Sequence, residues 1–96
     1  MEDFFIVSRI VNNGIIGGGI TAYSDYLEYK SGKFTVSAEL REAHIYYRDV
    51  IGVNLLSSMF PTVEIIISSG DSYRFMMLDA KRFLKFLSRK GVSINY

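Results

Sequence analysis

The chain has no cysteine and no tryptophan, a single proline and a single histidine. Without cysteine there is no disulfide framework, no thiolate nucleophile and no Cys-ligated zinc or iron–sulfur site. With one histidine, His44, only carboxylates remain to complete a metal site, so none is expected. Nothing marks a nucleophile for that histidine to activate. Long hydrophobic runs are missing as well. The apolar stretch from Phe4 to Val7 stops at Ser8-Arg9, far short of a membrane span. Met1-Glu2-Asp3 is acidic where a secretory leader needs a basic start. These absences lead to the expectation of a soluble, cytoplasmic protein, with the inner face of the membrane as its alternative address.

What the chain does have is core material. Apolar residues make up 49% of the 96 positions, with seven Phe and seven Tyr. That argues against disorder, which goes with few aromatics and much proline and charge. The length suits one domain, residues 1–96, burying about 60–65% of its unfolded surface. The charge is unevenly placed. Residues 79–91 hold five cations (Lys81, Arg82, Lys85, Arg89, Lys90) and one acid, in a chain of net charge +1. A basic segment thus follows a mildly acidic body. Such a segment is either a solvated helix face, with cations suited to the C-terminal end of the helix dipole, or a contact surface for an acidic partner.

β-forming residues over 4–11, where alternation is imperfect, and period-2 patterning and turn signals elsewhere predict strands over 4–11, 20–23, 26–30, 34–38, 44–47, 50–57, 62–68 and 72–78. The inward sets are Phe5 and Val7, with Ile10 less regular; Leu27 and Tyr29; Phe34, Val36 and Ala38; Ile51, Val53 and Leu55; Val63, Ile65 and Ile67; and Tyr73, Phe75 and Met77. Residues 39–42 are read as a turn or bulge. Asn12-Asn13-Gly14, Ser31-Gly32-Lys33 and Ser69-Gly70-Asp71 carry turn chemistry, Arg48-Asp49 a tight turn and Met59-Phe60-Pro61 a connection. Asp79 is the expected N-cap of a helix over 80–90. Ala80, Phe83, Leu84 and Leu87 form its apolar stripe, Phe86 the edge and Gly91 its left-handed stop. With 44–47 read as resuming the strand after the turn or bulge at 39–42, the total is about seven short antiparallel strands and one helix. No crossover helices are present to build a parallel sheet.

Three segments resemble PH-like domains of the GRAM and bacterial PH type. The first is Gly18-Gly19-Ile20-Thr21-Ala22-Tyr23-Ser24-Asp25-Tyr26-Leu27-Glu28-Tyr29-Lys30-Ser31, similar to that family's glycine pair, short strand, polar turn and second strand. The second is Ile45-Tyr46-Tyr47-Arg48-Asp49-Val50-Ile51-Gly52-Val53, similar to the segment leading into its fifth strand. The third runs from Pro61 to Leu87. Where the family often carries Thr and Arg beside the first polar turn, this chain has Tyr23 and Tyr26, and Tyr46 stands where a Pro is common. The resemblance implies a mainly β fold: a bent antiparallel sandwich or barrel of about seven strands, capped by one C-terminal α-helix. It also implies a scaffold for lipid headgroups, peptides or further copies of itself. Fold alone does not choose among these.

The residues narrow the choice. Asn12 to Gly19, where a phosphoinositide site would collect cations, holds no basic residue; Arg9, Lys30 and Lys33 are scattered around it. Gly17-Gly18-Gly19 is followed by strand residues rather than by Lys-Ser/Thr and a helix, so it is read as a bulge or a close backbone approach, not a phosphate loop. Tyr23, Tyr26, Tyr29, Tyr46, Tyr47 and Tyr73 lack the basic groove of a nucleic-acid platform. No catalytic residue, cofactor or small-molecule substrate is indicated. The reading is a non-enzymatic interaction module working through protein contacts, as a homo-oligomer or with another protein. Tyr26, Ile66 and Met76, with Leu78, lie opposite the core sets and are the candidates for an apolar contact. The alternative is a peripheral membrane module binding anionic lipid through Lys81, Arg82, Lys85, Arg89 and Lys90.

Overall fold

A computed structural model describes residues 3–12, 14–33, 35–56 and 60–95. Among these the order is β1 (Asp3–Val11), β2 (Gly14–Ala22), β3 (Tyr26–Lys30), α1 (Ala38–Arg41), β4 (Glu42–Tyr46), a 3-10 turn (Tyr47–Asp49), β5 (Val50–Leu56), β6 (Thr62–Ile67), β7 (Ser72–Met76), α2 (Ala80–Arg89) and β8 (Ile94–Asn95). The fold is mainly β. All eight strands join one sheet in the order β4-β3-β2-β1-β7-β6-β5-β8, and it is not closed into a barrel. Every pairing is antiparallel except β5 with β8.

β1 is the hinge of this sheet. It pairs with β2 over its whole length, but with β7 only through Ser8, Arg9 and Ile10. Its first half therefore departs from β7, and the two halves of the sheet contribute to one shared core. Phe5, Ile20, Leu27 and Ile45 come from one half and Val53, Val63, Ile65 and Phe75 from the other. α2 lies against both, with Ala80, Phe83, Leu84 and Leu87 buried and Phe86 half-buried, the stripe that 3.6-residue periodicity selects. The helix ends as its sequence directs. Gly91 takes φ +83°, its amide donates to Ser88, and the Val92 amide reaches back to Leu87. This is a Schellman stop, with Val92 buried beside the last turn.

Several expectations are corrected. Of the strand expected over 34–38, Phe34 lies outside the described residues and residues 35–38 form no strand: Val36 is half-buried and exposed Ala38 begins α1. The expected turn or bulge over 39–42 is largely this single helical turn. The glycine run makes no bulge, because β2 stays in unbroken register with β1 from Gly14 to Ala22. The bulge is instead in β5, between Val50 and Gly52. It turns Ile51 out to solvent, away from the inward side kept by Val53. Ile10 pairs with Ile15 on the outer side. Asp79 precedes α2, but its carboxylate does not cap the helix; it binds Arg82. Ile94 folds back as β8 beside Val53, while Asn13, residues 57–59 and Tyr96 lie outside the described residues.

On the outer side of the second half, one polar chain crosses four strands. Arg74 Nε donates to Glu64 (2.9 Å), Asn54 Nδ2 to the other Glu64 oxygen (3.0 Å), and Asn95 Nδ2 to Asn54 Oδ1 (3.1 Å). The Asn54 hydrogen bond, then that of Arg74, holds the Glu64 carboxyl below its ordinary value. A carboxylate depressed on folding stabilises the native state above its unfolded value, and that stabilisation is lost as pH falls through the folded value. Thermal melts from roughly pH 3 to 6, around the ordinary carboxylate range, are therefore expected to show a shallower loss of melting temperature in Glu64→Gln than in the wild type. Equal slopes would remove Glu64 from the acid response.

Candidate functional site

Antiparallel pairing places alternate residues on a common face, so the outer surface follows from the register. β1 and β2 present Phe4, Ile6, Ser8 and Ile10 opposite Thr21, Gly19, Gly17 and Ile15. Because the partners of Ile6 and Ser8 are glycines, nothing on β2 stands beside them. The Phe4 ring instead lies across Gly19. Ile6 remains 79% exposed. On the other side Met76 pairs with Ser8 and with Thr62, and the chain then leaves the sheet at Leu78, which is 88% exposed. Phe60, at the entrance to β6, is exposed nearby. Ile6, Ser8, Met76, Leu78 and Phe60 border a shallow apolar groove of about 330 Å³, with the buried Val7 and Met77 also lining it.

The three contact candidates do not gather there. Met76 lines the groove. Ile66, half-buried, pairs with Ser72 at the far end of the same ladder. It lies four positions along β6 from the Thr62–Met76 pair, about 13 Å at the usual rise. Tyr26 lies beyond β1 and β2 in an aromatic group of its own. Its ring stacks on Tyr23 (4.9 Å between centroids) and contacts Tyr46 (5.2 Å) and His44 (5.6 Å). Arg48 lies over Tyr46. Leu78 belongs with Met76, as expected. Ile6 and Phe60 were missed. For Ile6 the signal was present: four consecutive apolar residues, Phe4 to Val7, cannot all face one side of a strand.

The five cations of the C-terminal helix also divide. Arg82 is tied down, donating to the Asp79 carboxylate (3.0 Å) and the Phe4 carbonyl (2.9 Å), with its guanidinium 4.1 Å over the Phe5 ring. Lys90 donates to the Ser24 carbonyl and lies over Tyr47 and Phe86. Only Lys81, Lys85 and Arg89, at i, i+4 and i+8, form one exposed ridge. They border a groove of about 760 Å³ between α2 and the end of β5, lined also by Leu55, Leu84 and Arg82.

Two of the cations around the β1–β2 connection are engaged within the fold. Arg9 points inward, donates to the Leu40 carbonyl and lies over Tyr29 and Tyr73, while Lys30 is 3.8 Å from Glu28. Tyr29 and Tyr47 are core residues rather than a platform. Their hydroxyls donate to the carbonyls of Ile16 and Tyr23, and burial pushes both phenols above their ordinary values. Among the described residues one group has donors of the metal-binding kind: Glu28, Glu42 and His44, within 4.8 Å of one another on β3 and β4. Its members already bond each other. His44 Nε2 lies 2.9 Å from Glu28 and 3.6 Å from Glu42, and Lys30 shares Glu28, so pairing across the strands accounts for the cluster.

No family model and no curated protein matches the chain. Among solved structures it is similar to the crystal structure of the C-terminal domain of an unknown protein from Leishmania infantum. The TM-score is 0.78 at 15% identity, covering 92% of this chain and 80% of that one. At that identity the likeness concerns the fold alone.

Proposed function

We propose that this chain is a non-enzymatic interaction module of the PH-like, GRAM or bacterial PH type, and that it acts by self-association through the groove between β1 and β7. Seven strands in antiparallel succession, the first shared by both halves of the sheet, and a terminal helix over their common core support the PH-like sandwich reading. The exposed apolar rim of Ile6, Phe60, Met76 and Leu78 carries the reading of its action. Large side chains this open to water mark contact surfaces when they are contiguous. A net charge of +1 gives two copies little reason to repel. Tyr26 and Ile66 leave the proposed contact.

Solution mass by light scattering over a concentration series tests this. The wild type is expected to show a multimer that Ile6→Glu returns to monomer with its melting temperature kept, whereas Ile66→Glu leaves the mass unchanged. A wild type that stays monomeric at the highest concentration overturns self-association. The anionic-membrane alternative retains three of its five cations, and they border a second groove.

A further inference from the structure

Leu55 is the anomaly beside α2. It pairs with Val63 and shares the inward side of β5 with Val53; both of those are fully buried, yet Leu55 keeps 41% of its surface open. Among the described residues the core is therefore left open beside Leu55, at the 760 Å³ groove whose other wall is Leu84. That volume lies within the roughly 300–1,000 Å³ of ordinary ligand sites. Among the described residues its rim carries Lys81, Lys85 and Arg89 and no acid. The side chains of the three have no hydrogen bond or ion pair among the described residues, and like charges at i, i+4 repel. The nearby acid, Asp79, is already held by Arg82. The helix thus bears a charge ridge that its own packing does not explain.

An apolar trough with a cationic rim fits an occupant with an alkyl chain and an anionic head. A peptide would bring main-chain amides and carbonyls that Leu55 and Leu84 cannot satisfy. A flat bilayer would meet the ridge without reaching Leu84, which is buried. We propose that this groove binds a free long-chain fatty acid, its chain along Leu55 and Leu84 and its carboxylate among Lys81, Lys85 and Arg89. The guanidinium of Arg89 offers the carboxylate a two-pronged donor. This site shares no lining residue with the self-association groove and needs neither a second copy nor a membrane.

Isothermal titration of the full chain with laurate, below its micelle concentration, tests the proposal. Wild type and Ile6→Glu are both expected to bind one laurate per chain, whether or not the chain self-associates. Dodecyltrimethylammonium, with the wrong head charge, and acetate, with no chain, are expected not to bind. The double charge reversal Lys85→Glu with Arg89→Glu is expected to weaken laurate by about tenfold or more. Leu55→Ser is expected to weaken it at unchanged melting temperature. Absent laurate binding, equal binding by the charge-reversed protein, or equal binding of acetate overturns the site. Salt-sensitive sedimentation with anionic phospholipid vesicles, in the absence of laurate binding, overturns it in favour of a membrane surface.

Discussion

Phe83→Ala is expected to lower the unfolding free energy by about 3–5 kcal/mol, the usual cost of emptying a fully buried phenylalanine site. Phe83 is wholly buried on α2, and its ring meets Phe5 edge-on at 4.9 Å and 81°. Phe5 in turn belongs to the half of β1 that β7 does not pair. The ring therefore joins the helix to the sheet where backbone hydrogen bonding between the halves has stopped. Against a total of roughly 5–14 kcal/mol for a chain this size, the loss is a large fraction. Phe86→Ala, at the half-buried edge of the same stripe, is expected to cost clearly less. Denaturant unfolding measures both. A cost for Phe83→Ala below about 1 kcal/mol, the range of a peripheral site, would mean that α2 is not part of the core.

The same stripe shows what was legible in the sequence. Ala80, Phe83, Leu84 and Leu87 were assigned to the core from their spacing and are buried. The pairs Phe5 and Val7, Leu27 and Tyr29, Val63 and Ile65, and Phe75 and Met77 were assigned from alternation and are buried too. Long regular patterns hold because a slip of one residue would turn a whole apolar set to water. Alternation alone does not decide a strand. Residues 34–38 alternate as cleanly as the equally short β3 does, yet Ala38 to Arg41 turn into helix instead. Ile51 was misplaced because a bulge reverses parity locally, and Gly52 was its only mark. For the contact surface, parity placed Tyr26, Ile66 and Met76 opposite the core sets, and it was correct to do so. It could not show that β1 and β2 stand between Tyr26 and Met76, because strand order is a long-range property. The helix cations illustrate the same limit. Their number was visible, but the capture of Arg82 by Phe4 and of Lys90 by Ser24 joins residues 78 and 66 positions apart.

Gly18→Ala is expected to destabilise the fold, while Gly19→Ala, one residue on, is expected to be nearly neutral. Gly18 faces inward, opposite Val7. A methyl group there would run into the carbonyl oxygen of Lys30 and lie 3.0 Å from Cε1 of Tyr29. Neither obstacle yields readily. The first is backbone, and the Tyr29 ring crosses Gly18 to donate its hydroxyl to Ile16 at 2.8 Å. Ser31 makes a second bond across the same place, Oγ to the Gly17 carbonyl at 2.7 Å. The missing side chains thus let the end of β3 close down on β2, and restoring one forces that closure open. Overpacking of this kind costs about 1–3 kcal/mol, with the upper end expected where backbone must move. In a domain of this size that lowers the melting temperature by on the order of 10 °C. At Gly19 the obstacle is the Phe4 ring, which is more than half exposed and free to swing into solvent. The smaller backbone entropy that alanine loses on folding offsets what remains, leaving a change within about 0.5 kcal/mol. Paired thermal melts decide the matter. Equal effects at the two positions would mean that the glycine run serves strand flexibility in general rather than the approach of β3 to β2 at Gly18.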